Sequence, residues 1–305
     1  MQYAIETDGL SKKYRQLIAV RNLALQIPHG EIFGLLGPNG AGKTTAILML
    51  LGMIRPTAGT AQLLGKPIGD QIIRRRIGFL SEKFQQQEFL TPTELLLMHG
   101  KLAGIPKREL IRCISESLSR VGLASCAGLR ISELSRGMQQ RIGLAQALLA
   151  DPELIILDEP MSALDPLGRR DMREIIFGLR AAGKTVVLNS HLLSEMEMVC
   201  DRVAILHKGE MLVQGKVQEL LSFASRVEVE VEGMNDMAMA AVRNIAQKLR
   251  LERVPITRFT VWLNREEDIP ELAQAMVRNN VRLKALKPNR ETLEDLFVRL
   301  VENKG

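Results

Sequence analysis

One stretch near the N-terminus constrains the fold of this 305-residue chain more than any other. Residues 37–44 read Gly-Pro-Asn-Gly-Ala-Gly-Lys-Thr, which fits the pattern GxxxxGK[ST] in full. The apolar segment before it, Glu31–Gly37, predicts a buried strand that feeds a glycine turn, and a helix is predicted to begin at Lys43. Glycines let backbone N–H groups turn inward around an anion, and the helix N-terminus adds its positive dipole end. The sequence therefore predicts a phosphate-binding loop between a strand and a helix.

This loop predicts a role for each polar residue in it. We expect Lys43 to reach the β- and γ-phosphates of a nucleotide, and the Thr44 hydroxyl to ligate Mg²⁺. Thr45 is expected to hold the α-phosphate. The residues predicted to bind the nucleotide here are Gly37, Pro38, Asn39, Gly40, Ala41, Gly42, Lys43, Thr44 and Thr45.

A second apolar segment ends in two neighbouring carboxylates. Leu154-Ile-Ile-Leu is followed by Asp158 and Glu159. A buried strand would place Asp158 at the carboxyl edge of the sheet, beside the phosphate loop, where it can hold the metal. Glu159 lies one residue further and can act as general base towards the attacking water. Any buried strand can end in acidic residues, but the loop upstream favours the catalytic interpretation.

The chain as a whole predicts an α/β fold. Thr185–Ser190 is a third continuous apolar strand, and such strands alternating with helices indicate a parallel sheet covered on both faces. Between about residues 85 and 150 the strand pattern disappears, which predicts a helical subdomain. Its predicted helices are Leu95–Ala103, Lys107–Val121 and Gly137–Leu149.

A change of pattern near residue 216 predicts two domains, 1–216 and a small α+β domain at 217–305. Arg226–Glu232 alternates strictly between charged and apolar residues, as a half-exposed strand does. A helix near Met237–Leu249 follows, and the complete pattern predicts the order βαβαβα. The second domain carries no chemical motif, so we interpret it as a packing or dimer-regulating module.

Composition and charge bear on four further features: nucleic-acid binding, disulfides, zinc sites and membrane-spanning helices. The formal charge of +6 comes from residues 1–216. An excess of basic residues this small does not by itself predict nucleic-acid binding. Cys113, Cys126 and Cys200 form neither a CxxC pair nor a disulfide framework, which is typical of a reducing compartment. The four histidines are scattered along the chain, a distribution that does not predict a structural zinc site. The longest apolar run, Ala46–Ile54, is much shorter than the ~20 residues of a membrane-spanning helix.

The segment that begins at Leu134, Leu-Ser-Arg-Gly-Met-Gln-Gln-Arg, resembles the LSGGQ signature of ABC ATPases. The resemblance implies the P-loop NTPase fold of that family, with a helical subdomain. It also implies that Ser135 and Gly137 contact the γ-phosphate of a nucleotide bound to the opposite subunit. Arg136 and Met138 depart from the signature, at its first glycine and its glutamine.

Three further positions match the family in chain order. Tyr14 matches the aromatic residue that stacks on adenine, although a lone tyrosine is more often a half-buried structural ring. Ser162-Ala-Leu-Asp165 matches the D-loop, which crosses the dimer interface. His191 follows the third strand and matches the switch histidine that contacts γ-phosphate, although a lone histidine is more often structural.

One mismatch indicates a branch of the family. Glu82 follows the predicted strand Ile77–Leu80, where the family's Q-loop glutamine would stand. Export subunits of the ABC-2 type often have glutamate there, and the resemblance implies that Glu82 ligates Mg²⁺ and reports to the membrane partner. A shifted alignment would give this role to Gln85, Gln86 or Gln87.

The resemblance implies an ATPase that binds ATP and Mg²⁺, pairs with a second ATPase subunit and drives transport through separate membrane permease subunits. We expect export, and a cytoplasmic location on the inner face of the cell membrane. Whether the two ATPase subunits are identical stays open. One rival is a soluble ABC ATPase acting on nucleic acid, but the tandem modules, coiled coils or zinc insertions of that class are missing. A small-molecule kinase does not explain the signature, and no nucleic acid is expected as a partner.

Overall fold

The computed structural model describes residues 3–82, 87–162, 164–221, 225–251, 258–263, 265, 267–289 and 291–302. The chain divides into two compact units, Met1–Gly215 and Lys216–Gly305. Among the described helices, none combines the length and the apolar character that crossing a bilayer requires.

The first unit is built from strands β1–β11 and helices α1–α7. In chain order the strands are Tyr3–Tyr14, Leu17–Leu23, Gln26–Pro28, Ile32–Leu36, Ala58–Leu63, Lys66–Pro67, Ile77–Leu80, Leu154–Asp158, Thr185–Ser190, Arg202–His207 and Glu210–Lys216. The helices are Lys43–Leu50, Gln71–Arg74, Pro92–Leu102, Lys107–Arg120, Arg136–Leu148, Pro166–Ala181 and Leu193–Val199.

A six-stranded sheet forms the centre of this unit, in the order β11-β10-β4-β9-β8-β7. Along the run β10-β4-β9-β8-β7 each strand is parallel to the next, and every residue of β4, β8 and β9 is buried. The register pairs Leu36 with Ser190 and Asp158 with Asn189. The carboxyl ends of the three central strands therefore meet at one edge, which confirms the predicted α/β class.

A second, antiparallel sheet was not predicted from the sequence. It shares a hydrophobic core with the parallel sheet. Its strands have the order β2-β1-β5-β6, and β3 also pairs with β1. Register shifts between Leu10 and Lys13 interrupt the pairing of β1 with β2, so a simple two-residue period is not visible there. The buried core of the unit contains side chains from this layer, from α1 and from the parallel strands, including Leu10, Ile47 and Leu206.

The helices α3, α4 and α5 occupy the stretch between β7 and β8 and contact one another. Helix α3 begins at Pro92, three residues before the predicted start. Thr91 and Glu94 form a reciprocal capping box there, and Pro92 occupies the first turn, where its missing N–H has no cost. The other two helices lie within one residue of their predicted bounds.

The second unit contains strands β12–β15 and helices α8–α11. The strands are Ser225–Glu232, Lys248–Leu251, Arg258–Leu263 and Arg282–Asn289. The helices are Val217–Leu220, Asp236–Ile245, Asp268–Arg278 and Leu293–Glu302. All pairs in the sheet are antiparallel, in the order β13-β14-β12-β15. From β12 to β15 this is the βαββαβ arrangement of ferredoxin-like folds.

The predicted order βαβαβα is wrong by one strand. Helix α9 ends at Ile245, and Lys248–Leu251, predicted partly as helix, is the edge strand β13. It pairs with β14, where the Lys248 ammonium lies 5.0 Å from the centre of the Trp262 ring. These partners are distant in sequence, so tertiary pairing overrides the local helical pattern.

Candidate functional site

The loop after β4 has the backbone of an anion-binding turn. Gly37, Gly40 and Gly42 all have positive φ, which their lack of a Cβ permits. Helix α1 starts directly after Gly42, and the first N–H groups of a helix have no partner within it. The buried Lys43 ammonium lies inside the loop, where it donates to the carbonyls of Gly37 (2.7 Å) and Pro38 (3.2 Å). The loop therefore presents backbone donors and one cation to a phosphate group.

Gly42 is also fixed by steric contact. Its φ is +102°, and an added Cβ would lie 2.3 Å from the Ala19 carbonyl oxygen. We expect Gly42→Ala to lower the free energy of unfolding by about 2–4 kcal/mol, because backbone strain and a clash add together. Gly183→Ala is the matched control, with φ +78° and nothing within 4 Å of the added Cβ. It should cost only about 1–2 kcal/mol in urea unfolding. Equal losses would show that the contact with Ala19 is not what fixes the loop.

Asp158 and Glu159 lie next to each other at the carboxyl end of β8, beside this loop. Asp158 is 3% exposed and accepts a hydrogen bond from the Asn189 side-chain amide. Glu159 has a φ of +52°, a conformation that costs a non-glycine residue about 1–3 kcal/mol. Its N–H donates to the Asn189 carbonyl at 2.9 Å, so the strand end holds this strained turn.

The Glu159 carboxylate is held by the end of β9. The Ser190 hydroxyl donates to Oε2 at 3.2 Å, and the His191 N–H donates to Oε1 at 3.1 Å. His191 Nδ1 lies 2.9 Å from Oε1, so a proton on Nδ1 completes this contact and leaves Nε2 as the acceptor nitrogen of the neutral ring. The predicted base and the predicted switch histidine therefore form one hydrogen-bonded unit.

The charges at this edge suit a divalent cation. Burial, with Glu82 and Glu159 nearby, raises the pKa of Asp158 to about 6. Burial lowers the pKa of Lys43, against the opposing effect of Glu159, Asp158 and Glu82. Carboxylates crowded away from water are stabilised by an added positive charge, and Thr44 contributes a hydroxyl. Oxygen ligands of this kind are those that Mg²⁺ takes beside substrate phosphates.

An open cavity of about 500 Å³ joins these groups. It is lined by the loop from Asn39 to Thr45, together with Tyr14, Glu82, Glu159 and His191. Gly37, Pro38 and Asp158 do not line it but support residues that do: the first two hold Lys43, and Asp158 lies next to Glu159. The predicted residues that line the cavity thus come from five separate segments of the chain.

Four residues of the cavity wall were not predicted: Leu17, Ile18, Ala19 and Lys208. Leu17 pairs with Tyr14 across the turn between β1 and β2, so both form an exposed apolar surface at the mouth. Lys208 and Gly209 both have positive φ in the turn between β10 and β11, as in a type I′ hairpin. The Gly209 N–H donates to Ala41 and its carbonyl accepts from Arg21, so this turn supports the loop. The Lys-Gly pair between two apolar strands is the signal that could have identified it.

Ser135 and Gly137, the predicted signature contacts, do not line this cavity. Ser135 caps α5, where its hydroxyl accepts the Met138 N–H at 3.3 Å. The Gln139 side chain donates to the carbonyls of Ile131 and Leu134 and fixes the approach to the helix. Ser135 and Gly137 therefore lie at the N-terminus of α5, apart from the cavity that contains the phosphate loop.

Asp165, in the predicted D-loop, caps α6 by accepting the Gly168 N–H at 2.8 Å. The Ser162 hydroxyl donates to the Glu159 carbonyl at 3.1 Å, which connects this segment to the end of β8. Gln87 is described and exposed, whereas Gln85 and Gln86 lie outside the described residues.

Comparison with known proteins agrees with this geometry. Residues 20–162 match the family model described as ABC transporter. An uncharacterized ABC transporter ATP-binding protein of Synechocystis is 41% identical over 99% of this chain and 85% of its own length. The Nod factor export ATP-binding protein I of Rhizobium johnstonii is 36% identical over 97% of this chain and 94% of its own.

Solved structures show the same fold over the first unit. A dimeric ATP-binding cassette in a post-hydrolysis state, bound to ADP and Pi, gives a TM-score of 0.63 at 27% identity. The match covers 70% of this chain and 98% of the other. Given these relatives and the site described above, the chain belongs to the ABC transporter family, as an ATP-binding protein with the ATPase fold.

Proposed function

We propose that this chain hydrolyses ATP as one of two paired subunits and thereby drives export through separate membrane proteins. The observation that carries the proposal is the division of the site within one chain. The phosphate loop, Glu159 and His191 share one cavity, whereas Ser135 and Gly137 lie outside it. Two chains in opposite orientation would each complete the other's site.

In this proposal the chain's own residues bind and orient the nucleotide. Tyr14, with Leu17 and Ile18 beside it, offers a flat apolar surface to adenine. Lys43 leaves its loop carbonyls to contact the β- and γ-phosphates. Mg²⁺, held by Thr44, Glu82 and Asp158, would supply the charge that offsets the phosphate oxygens. Glu159, oriented by Ser190 and His191, accepts the proton of the attacking water.

Closure of the pair supplies the mechanical step. The N-terminus of α5 favours the γ-phosphate of the partner's nucleotide, so ATP stabilises the closed pair and hydrolysis removes that contact. We propose that Glu82 and the groove beside α3–α5 receive cytoplasmic helices of the membrane subunits. The chain would then lie on the inner face of the cell membrane. A relative named as a Nod factor export protein supports export as the direction.

Substitution of Glu82 tests whether this site couples ATP hydrolysis to transport, in addition to hydrolysing ATP. It lines the cavity from the connection after β7, so nucleotide state can shift that connection. We expect Glu82→Ala to keep ATP binding, to lower hydrolysis and to reduce transport per ATP hydrolysed. The measurement is that ratio in proteoliposomes with the cognate membrane subunit. Glu88→Ala, an exposed glutamate in the same connection, is the control and should behave as wild type. An unchanged ratio with unchanged turnover would remove Glu82 from the coupling role.

Affinity purification from detergent-solubilised membranes of the source cell tests the transporter assignment. We expect a polytopic membrane protein to copurify in stoichiometric amount, and ATP to be hydrolysed faster by this complex in lipid vesicles. Copurification with ribosomes or nucleic acid, without a membrane protein, would contradict the proposal and favour the soluble class of ABC ATPase.

A further inference from the structure

A largely buried ion-pair cluster lies behind the site and has no part in the chemistry described so far. Glu195, on α7, has a side chain only 11% exposed. Its Oε2 accepts from Arg173 Nη1 at 2.7 Å, and its Oε1 lies 3.4 Å from Arg169 Nη1. Both arginines belong to α6 and are themselves 22–31% exposed. A carboxylate this buried holds its partners in fixed positions, because breaking one contact leaves an uncompensated charge.

Arg169 makes one contact that Arg173 does not. Its Nε–H donates to the Leu164 carbonyl at 3.1 Å, in the segment between Glu159 and α6. The Leu164 side chain is buried and packs against the first turn of α5. A Cβ added to Gly137 in that turn would lie 3.5 Å from Leu164 Cδ2. A second link from α6 to α5 is the pair of Asp171 with Arg141, at 3.7 Å.

Helix α7, which carries Glu195, follows directly after a residue of the nucleotide cavity. Helix α7 begins at Leu193, two residues after His191, which contacts Glu159 at 2.9 Å. A path therefore runs along the chain from His191, which contacts Glu159, to Glu195 on α7, and from there through Arg169 and Leu164 to Gly137. The first two residues line the chain's own cavity, and the last lies on the surface assigned to the partner's nucleotide.

We propose that Glu195 and Arg169 are positioning residues that couple the two nucleotide sites to which one chain contributes. This inference rests on the proposed function, because it requires that Ser135 and Gly137 act on the nucleotide of a second chain. Movement of the strand end at His191 shifts α7, the Glu195–Arg169 pair carries it to Leu164, and Leu164 moves the signature segment. Packed interiors transmit such shifts because they have little free volume to absorb them.

The two arginines provide a matched comparison. Arg169→Gln and Arg173→Gln each remove one partner of Glu195, but only Arg169→Gln also removes the donor to the Leu164 carbonyl. The readout is ATP turnover of the full chain against ATP concentration. Wild type should give a Hill coefficient above 1, towards the limit of about 2 for two coupled sites. We expect about 1 for Arg169→Gln, and the wild-type value for Arg173→Gln.

Leu164→Val tests the path from its other end, because it leaves the ion pairs intact and removes the methyl group that faces Gly137. It should lower the Hill coefficient in the same direction as Arg169→Gln. ADP affinity, measured by calorimetry, should match wild type in all three variants, which separates lost coupling from a damaged cavity. Thermal unfolding should show a loss of stability in both arginine variants, since each leaves Glu195 with one partner.

A wild-type Hill coefficient in both Arg169→Gln and Leu164→Val would overturn the inference. So would an equal loss in Arg169→Gln and Arg173→Gln, because the effect would then follow from general loosening of the cluster. Absence of ATP turnover in the wild-type chain would instead contradict the proposed function itself.

Discussion

Glu159→Gln is expected to lower ATP turnover about 10²–10⁴-fold, the usual effect of removing a general base. The amide keeps the size of the side chain, and its oxygen can still accept from Ser190 or His191. It cannot take a proton from water. ATP affinity should therefore change little, because no contact to phosphate is removed. The measurement is phosphate release at saturating ATP, with nucleotide affinity measured separately.

Glu153→Gln is the matched control for this prediction. Glu153 precedes β8, at the strand end opposite Glu159, and pairs with Arg76 at 2.5 Å on the surface. Loss of an exposed ion pair costs about 0–1 kcal/mol of stability and should leave turnover unchanged. Wild-type turnover by Glu159→Gln would show that another group accepts the proton.

Lys43→Ala should weaken the binding of ATP, and not only slow the hydrolysis of ATP that is already bound. The ammonium is buried in the loop, 2.7 Å from the Gly37 carbonyl, and it is the cation that the loop offers to the phosphates. Removing a charged contact costs about 1.5–3 kcal/mol, which corresponds to about 10- to 150-fold in Kd. Isothermal titration with Mg²⁺ and ATP measures this loss.

Adenosine provides the internal control for Lys43→Ala, because it keeps the base and lacks the phosphates. Its weak affinity should be the same in wild type and variant. Lys66→Ala, an exposed lysine of β6 outside the cavity wall, should not change the binding of either ligand. Equal ATP affinity in Lys43→Ala and wild type would contradict the assigned role.

Much of the central sheet could be predicted because its strands are buried on both faces. Such strands read as continuous apolar runs, and Thr185–Ser190 has the same bounds in sequence and structure. The phosphate loop could be predicted because the chemistry of anion binding requires glycines and a lysine at fixed spacing. The start of α3 at Pro92 was missed although its capping box was visible in Thr91 and Glu94.

What could not be predicted depends on contacts between distant residues. The edge strand Lys248–Leu251 pairs with residues about ten positions further along the chain. The spacing of apolar residues within one helix-length segment does not reveal this pairing. Lys208 reaches the cavity only because β10 pairs with β4. The cluster around Glu195 was missed for the same reason, since its arginines come from a different helix.

The mass of Glu159→Gln in solution, with and without nucleotide, tests the central claim most directly. The claim is that two chains enclose ATP between the phosphate loop of one and the Ser135–Gly137 segment of the other. Light scattering during size-exclusion chromatography should show a monomer with ADP and a dimer with ATP, holding one nucleotide per chain. Ser135→Arg in the same background should bind ATP and remain monomeric, because Ser135 is exposed and outside the chain's own cavity. A Glu159→Gln protein that is saturated with ATP and still monomeric would contradict the account.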